Sequence, residues 1–235
     1  MRKKRDTERE LRVLYEDDAL VALDKPAGLL AVPIKHSSVE SAFSILKDAL
    51  KEQRQRTFVV HRIDRFSSGV LLFAKTPRDR DALVKQFLAH TPERQYLVAV
   101  RGQLKKPAGT LVHYFKRVGM HQQLRKPQDP KASKAELRYK VERELATASI
   151  VRVELVTGLQ NQIRAQFSAI GHPVIGDRKY HPEETNERRI DRVALHAARL
   201  EFAHPRTGKK ITVESKLPPD FERLVRALSS QKASG

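Results

Sequence analysis

With 235 residues, no cysteine and a formal net charge of +18, the chain is long enough for one large domain or two joined lobes, burying roughly 70% of its extended surface. The missing thiols exclude disulfides, thiolate metal sites and cysteine nucleophiles together. The excess of Lys and Arg repels itself unless anions lie near, which favours a nucleic acid partner over an anionic membrane.

The opening MRKKRDTERE is mixed charge with little to bury, so residues 1–13 are expected to form a basic, flexible arm. It precedes no apolar signal core, and no segment reaches the roughly 20 apolar residues of a membrane span, so a cytoplasmic protein without membrane contact is expected. Order should begin near Leu14 and run to residue 228, leaving 229–235 as a flexible tail. Leu20 to Leu23 reads as a strand broken by Asp24-Lys25-Pro26-Ala27-Gly28. Val39, Ala42, Phe43, Leu46 and Leu50 recur at helical spacing. Phe58 to Val60 is a short strand, HRIDRFSS a polar loop, and Gly69 to Ala74 a second apolar strand. Thr76-Pro77 then caps a helix with Leu83, Val84, Phe87 and Leu88 on one face.

Tyr96 to Val100 predicts a strand ending at Gly102, and residues 103–134 read as a long exposed excursion with at most short strands near Leu111. Alternation in Leu137, Tyr139, Val141 and in Val151, Val153, Leu155 predicts a hairpin of half-buried antiparallel strands. Ile163, Phe167 and Ile170 mark a short helix that Gly171 can end. A long strand over 193–202, a turn at 205–208, a strand at 211–213 and a helix with Phe221, Leu224, Val225 and Leu228 complete the chain. Strands outnumber helices without a βαβ period, which predicts an α+β fold on a mostly antiparallel, mixed sheet with flanking helices.

The common phosphate-loop, dinucleotide, serine-hydrolase and zinc-protease motifs are missing, and the histidines have no tight ligand spacing. Neither a metal nor a cofactor is expected. The densest polar cluster is His61-Arg62-Ile63-Asp64-Arg65-Phe66-Ser67-Ser68-Gly69. An acid between two arginines would favour its ionised form and serve as a nucleophile, and a loop salt bridge would give the same pattern.

HRIDRFSSG is similar to the His-Arg-Leu-Asp-Arg-x-Thr-Ser-Gly signature of the RNA pseudouridine synthases that modify ribosomal and transfer RNA. ALDKPAGLLAVP at 22–33, RQYLVAVRG at 94–102, QIRAQFSAIGHPVIGDRKY at 162–180 and LHAARLEFAHPRTGKK at 195–210 extend the resemblance in the family's order. It implies that family's catalytic fold with a central cleft, in two closely joined lobes, acting as a monomer on structured RNA. It also implies Asp64 as the essential aspartate, Tyr96 as the tyrosine that stacks near the uracil and assists removal of the C5 proton, and Arg164 as the arginine that pairs with the aspartate, a bidentate geometry being available to a guanidinium. Arg62 and Arg65 are placed to touch phosphate or help splay the nucleotide, with His61 shaping the loop or contacting the RNA backbone. Lys25 belongs to a loop at the site's rim and counts, with Asn161, among the candidate RNA contacts.

TGLQNQIR at 157–164 departs from the family's usual TGR-x-HQIR, with Leu159 for arginine and Asn161 for histidine. Altered RNA contact, local packing or weakened catalysis would each follow. The small N-terminal RNA-binding domain of many members is not expected, because the catalytic region's match starts at Leu20. The chemistry implied is nucleophilic attack by Asp64 on a uridine drawn out of its stack, at the ribose C1′ or at the base. The competing reading is an RNA-binding or RNA-folding protein that keeps the scaffold without the turnover. A glycosidase would need two suitably spaced carboxyl groups, and the loop holds one.

Overall fold

The structure, a computed structural model, describes residues 11–119, 121–182 and 187–230. Residues 1–10 of the expected arm and 231–235 of the expected tail lie outside the described residues, whereas Arg12 and Val13, expected in the arm, pair as strand residues with Asp24 and Leu23, and Ser229, expected in the tail, ends the last helix. Within the described range the chain forms β1 (Arg12–Glu16), β2 (Leu20–Lys25), α1 (Ala42–Glu52), β3 (Phe58–Val59), β4 (Ser68–Ala74), α2 (Pro77–Leu88), β5 (Glu93–Arg101), β6 (Ala108–Val118), β7 (His121–Arg125), β8 (Ser133–Glu144), β9 (Ala148–Leu155), α3 (Gln162–Ala169), β10 (Leu195–Ala203), β11 (Lys210–Glu214) and α4 (Pro219–Ser229).

The strands make one sheet in the order β1-β2-β4-β10-β5-β9-β8-β6-β7, with β3 beside β4 and β11 beside β10. Every pairing is antiparallel except β4 with β10. This is the mixed, mostly antiparallel α+β sheet that the alternating pattern predicts.

Strand β4 is buried along its whole length, which is why its sequence shows a continuous apolar run instead of alternation. Leu71 and Phe73 point to the face covered by α1 with Ala42, Leu46 and Leu50, while Val70, Leu72 and Ala74 join Leu83 of α2 on the other. Helix α1 starts at a capping box in which Ser41 and Ser44 satisfy each other's backbone N–H groups. That cap leaves Val39 before the helix and 45% exposed, so it drops out of the expected stripe. In α2, Thr76 accepts from the Asp79 N–H and Pro77 occupies the first turn. A second core, around β5 and β9, is closed by Ile163 and Phe167 of α3 and by Phe221, Leu224, Val225 and Leu228 of α4.

The segment 103–134 departs from expectation. Instead of an excursion with minor strands, it builds the eleven-residue β6, paired along its length with β8, and the hairpin partner β7. β6 keeps many partly or fully exposed positions and buries only Phe115, so cross-strand pairing decides a structure that composition does not advertise.

Candidate active site

The loop 60–67 leaves β3 and returns into β4. Ile63 is its buried anchor, and the Ser67 N–H closes a turn on the Asp64 carbonyl at 3.1 Å. The loop enters β4 through Gly69, at φ +109°, where an added Cβ would stand 2.2 Å from the Ala197 carbonyl oxygen of β10. Only glycine allows the sheet to approach so closely immediately after the polar loop.

Helix α3 supplies the second half of the site. Asn161, at φ +55°, turns the chain into the helix, and Gln162 locks that turn by accepting from Thr157 Oγ1 and the Leu159 N–H, both at 2.9 Å. Gln166 donates to the carbonyls of Leu111 and Ala135, tying α3 to β6 and β8. The helix therefore holds Arg164 on a rigid mount.

Arg164 donates through Nη1 to Asp64 Oδ2 at 3.4 Å, yet its bidentate partner is Asp177, with Nε–Oδ2 and Nη2–Oδ1 both at 2.7 Å. This corrects the expectation that the two-pronged contact goes to Asp64. Asp177 also accepts from the backbone of Lys179 and Tyr180, and the Asn161 amide oxygen takes Arg164 Nη1 at 3.0 Å. Burial works against the Arg164 charge, and the bonds to Asp177 together with the charge of Asp64 more than offset it, leaving the guanidinium's pKa raised.

Asp64, whose side chain is 20% exposed, stands where two cavities meet. One, of about 530 Å³, is walled by Tyr96, Arg94, Val60, Phe87, Leu155 and Leu159. The other, of about 680 Å³, is walled by the loop 30–34, Phe66, Arg178 and Lys179. Arg62, Ile63, Arg117, Gln160 and Asn161 border both.

Tyr96 lies in β5, paired with Val153 of β9 and Ala197 of β10, so the central sheet fixes its backbone. Burial pushes its phenol up to about 12, the Arg94 charge pulls it down, and the charge of Asp64 pushes it up again. Arg94 crosses from β5 to the end of β9, giving Nη2 to the carbonyls of Leu155 and Val156. It passes close to Gly158, where an added Cβ would stand 2.8 Å from Nη1.

Three candidate RNA contacts, Lys25, His61 and Asn161, also have partners inside the protein. Lys25 is fully buried and its ammonium donates to the carbonyls of Pro26, Leu29 and Arg65; it braces the rim loop against the Asp64 loop. The His61 ring stacks on Phe87 at 4.6 Å, and its Nε2 accepts the Leu72 N–H. Burial, with help from the Arg94 charge, pushes its pKa down to about 3, so this imidazole shapes the loop as a neutral group and offers phosphate no charge. Asn161 is 8% exposed, with its amide oxygen turned to Arg164. Arg62 and Arg65 remain exposed, Arg65 giving its Nε to the Gly28 carbonyl.

Asp177, Arg94 and Arg117 escaped the sequence reading as site residues. Asp177 and Arg94 fall inside stretches that carry the family resemblance, GDRKY and RQY, and Arg117 in the segment read as an excursion. Leu159, the departure from the family pattern, packs against Phe115, Ala135 and Ala165 and also lines the first cavity.

Residues 19–169 match the RNA pseudouridylate synthase family. This chain belongs to that family. Among its relatives, the tRNA pseudouridine synthase C of Haemophilus ducreyi is 33% identical over 92% of this chain and 94% of that protein. The ribosomal large subunit pseudouridine synthase D of Nitrosomonas europaea is 33% identical over 93% of this chain but only 65% of its own length, so the chain spans just under two thirds of that relative. The solved structure of human RNA pseudouridylate synthase domain containing 4 shares the fold, with a TM-score of 0.76 at 20% identity, covering 92% of each chain. The synthase isomerises uridine to pseudouridine in RNA, and the Asp64 cleft is the part of its fold where a carboxylate, a phenol and a ring of arginines converge.

Proposed function

We propose that Asp64 is the nucleophile of this synthase, acting on a uridine drawn out of a structured ribosomal or transfer RNA into the cavity lined by Tyr96. The observation that carries the reading is the position of the Asp64 carboxylate where two arginine-bordered cavities meet, with Arg164 behind it. A cavity of about 530 Å³ is in the range of small-molecule sites, roughly 300–1,000 Å³. The first cavity offers the uracil the ring of Tyr96 and the side chains of Val60, Leu155 and Leu159. Phosphates on either side of the extruded nucleotide meet Arg62 and Arg117, offsetting the few kcal/mol of unstacking.

Attack by Asp64 on the nucleoside breaks the bond between N1 and C1′. The uracil, enclosed by the cavity, turns until C5 faces C1′, and confinement makes rejoining faster than escape. Bonding of C5 to C1′ frees Asp64, the C5 proton leaves, and N1 gains one, so the product is an isomer and no electrons are gained or lost. A phenol held near 12 is neutral at pH 7, so Tyr96 stacks on the base and accepts the C5 proton only while handing on its own. Asp64, free again at that stage, is the neighbouring acceptor.

The test treats total RNA lacking this modification with the native and Asp64→Ala proteins and maps pseudouridine nucleotide by nucleotide. A position formed only by the native protein identifies the substrate and supports the role of Asp64. Equal formation by both proteins would refute that role.

A further inference from the structure

The apolar surface that most needs explaining lies in the second cavity. Phe66 is 47% exposed and Ile34 54% exposed, although both sit in loops rich in charge, and both line the same space of about 680 Å³ beside Asp64. Neither belongs to a core cluster. Their loops are stiffly joined, the Gly28 N–H donating to the Arg65 carbonyl at 2.8 Å, Arg65 Nε to the Gly28 carbonyl at 3.0 Å, and the buried Lys25 ammonium to the Arg65 carbonyl at 3.1 Å. The Arg65 guanidinium lies 5.4 Å from the centre of the Phe66 ring. An aromatic side chain is thus presented from a braced loop to solvent, where it contributes little to folding.

The rim around this apolar wall is predominantly cationic, with Asp191 as an exposed acid among its bases. Arg164 and Arg192 are satisfied by Asp177 and Asp220, and Arg62, Arg65, Arg117, Arg178 and Lys179 also border the cavity. An apolar floor with a basic rim fits a flat aromatic ring that carries a phosphate. The cavity meets the Tyr96 cavity at Asp64, within reach of a nucleotide next to one held there.

We propose that the Phe66 cavity is a second nucleotide subsite, in which a base adjoining the target uridine stacks on Phe66 against Ile34 while its phosphate meets Arg178 and Lys179. The subsite rests on the reading that the target uridine occupies the Tyr96 cavity. It makes recognition depend on two extruded nucleotides, so the residue next to the uridine contributes to substrate choice.

The test measures binding of octauridylate by fluorescence anisotropy across a salt series, with the full-length Asp64→Ala protein as parent so that nothing turns over. Introducing Phe66→Ala should weaken binding about tenfold at every salt concentration without changing the salt slope, as expected for a lost stacking contact. Phe66→Trp should restore it. Arg178→Ala should instead reduce the slope by about one unit. Melting temperatures should be equal, since the ring is exposed. Phe66→Ala binding within twofold of the parent, or a loss that Phe66→Trp fails to recover, would overturn the subsite. Total RNA left without pseudouridine by the native protein would defeat the functional reading instead, and the octauridylate comparison would still report on the cavity.

Discussion

Arg164 gives two of its nitrogens to Asp177, each contact 2.7 Å long, and only its third nitrogen turns toward Asp64, at 3.4 Å. The fully buried Asp177 therefore fixes the plane of the guanidinium, and Asp64 receives a donor whose direction is already set. A carboxylate held loosely by a rigidly held cation stays free to form and break a bond to substrate.

Asp177→Asn removes the charge that balances a buried arginine. Losing one partner of a buried pair costs about 3–5 kcal/mol, and the nearby Asp64 puts the expected loss at the low end, about 3 kcal/mol. Denaturant unfolding of the two proteins checks this, and a loss below 1 kcal/mol would contradict the anchoring role.

Arg164→Lys keeps a charge but cannot span Asp177 and Asp64 together. Turnover should fall by roughly 100-fold, the scale associated with misplacing a reacting group by about 1 Å, with KM for RNA changed much less. Single-turnover rates at saturating enzyme separate the two quantities.

Tyr96→Phe leaves the ring in β5 and removes the hydroxyl. RNA affinity should persist, because stacking does, while turnover drops by about 10²–10⁴, the usual worth of a positioned proton-transfer group. Filter binding and turnover of the mapped RNA check the two halves, and unchanged turnover would restrict Tyr96 to stacking.

Lys25→Met should destabilise the fold by about 1–3 kcal/mol, since three carbonyl acceptors lose a buried donor. The salt slope of RNA binding should stay as in the native protein. A reduced slope would return Lys25 to the phosphate-contacting set.

His61 has a pKa of about 3 in the folded protein against an ordinary value of 6.5. Between those limits the unfolded chain binds the proton and the folded one does not, so stability rises with pH. The His61 contribution is complete above about pH 6.5 and is lost as pH falls toward about 3. His61→Gln should flatten this part of the profile, measured as a smaller change in Tm between pH 7 and pH 5 than in the native protein.

The strands and helices with strong apolar patterns were legible in the chain itself. β4 is fully buried and reads as an unbroken apolar run, and α4 buries the four side chains its spacing nominates. β6 was not legible, because its hydrogen bonds run to β8 and its apolar residues are split between buried and exposed positions, Val112 and Val118 staying exposed. In α2, Leu83 enters the core as the stripe implies, but Val84, Phe87 and Leu88 line the first cavity, with Leu88 left 75% exposed. One apolar stripe serves two purposes there, and periodicity cannot divide it.

The sequence by itself determined the chemistry on offer. Its charge favoured a polyanion, its lack of cysteine removed thiol chemistry, and the HRIDRFSSG loop with Tyr96 and Arg164 named a family and an acid. Only the tertiary structure decided which groups share a charge and which face the solvent. Asp177 stands 13 residues from Arg164 and captures its guanidinium, whereas Lys25 and His61, polar in the sequence, are withdrawn into the frame. The reason is that a side chain's partners depend on folding in three dimensions and on the dielectric around it, and neither is written in the order of residues along one segment.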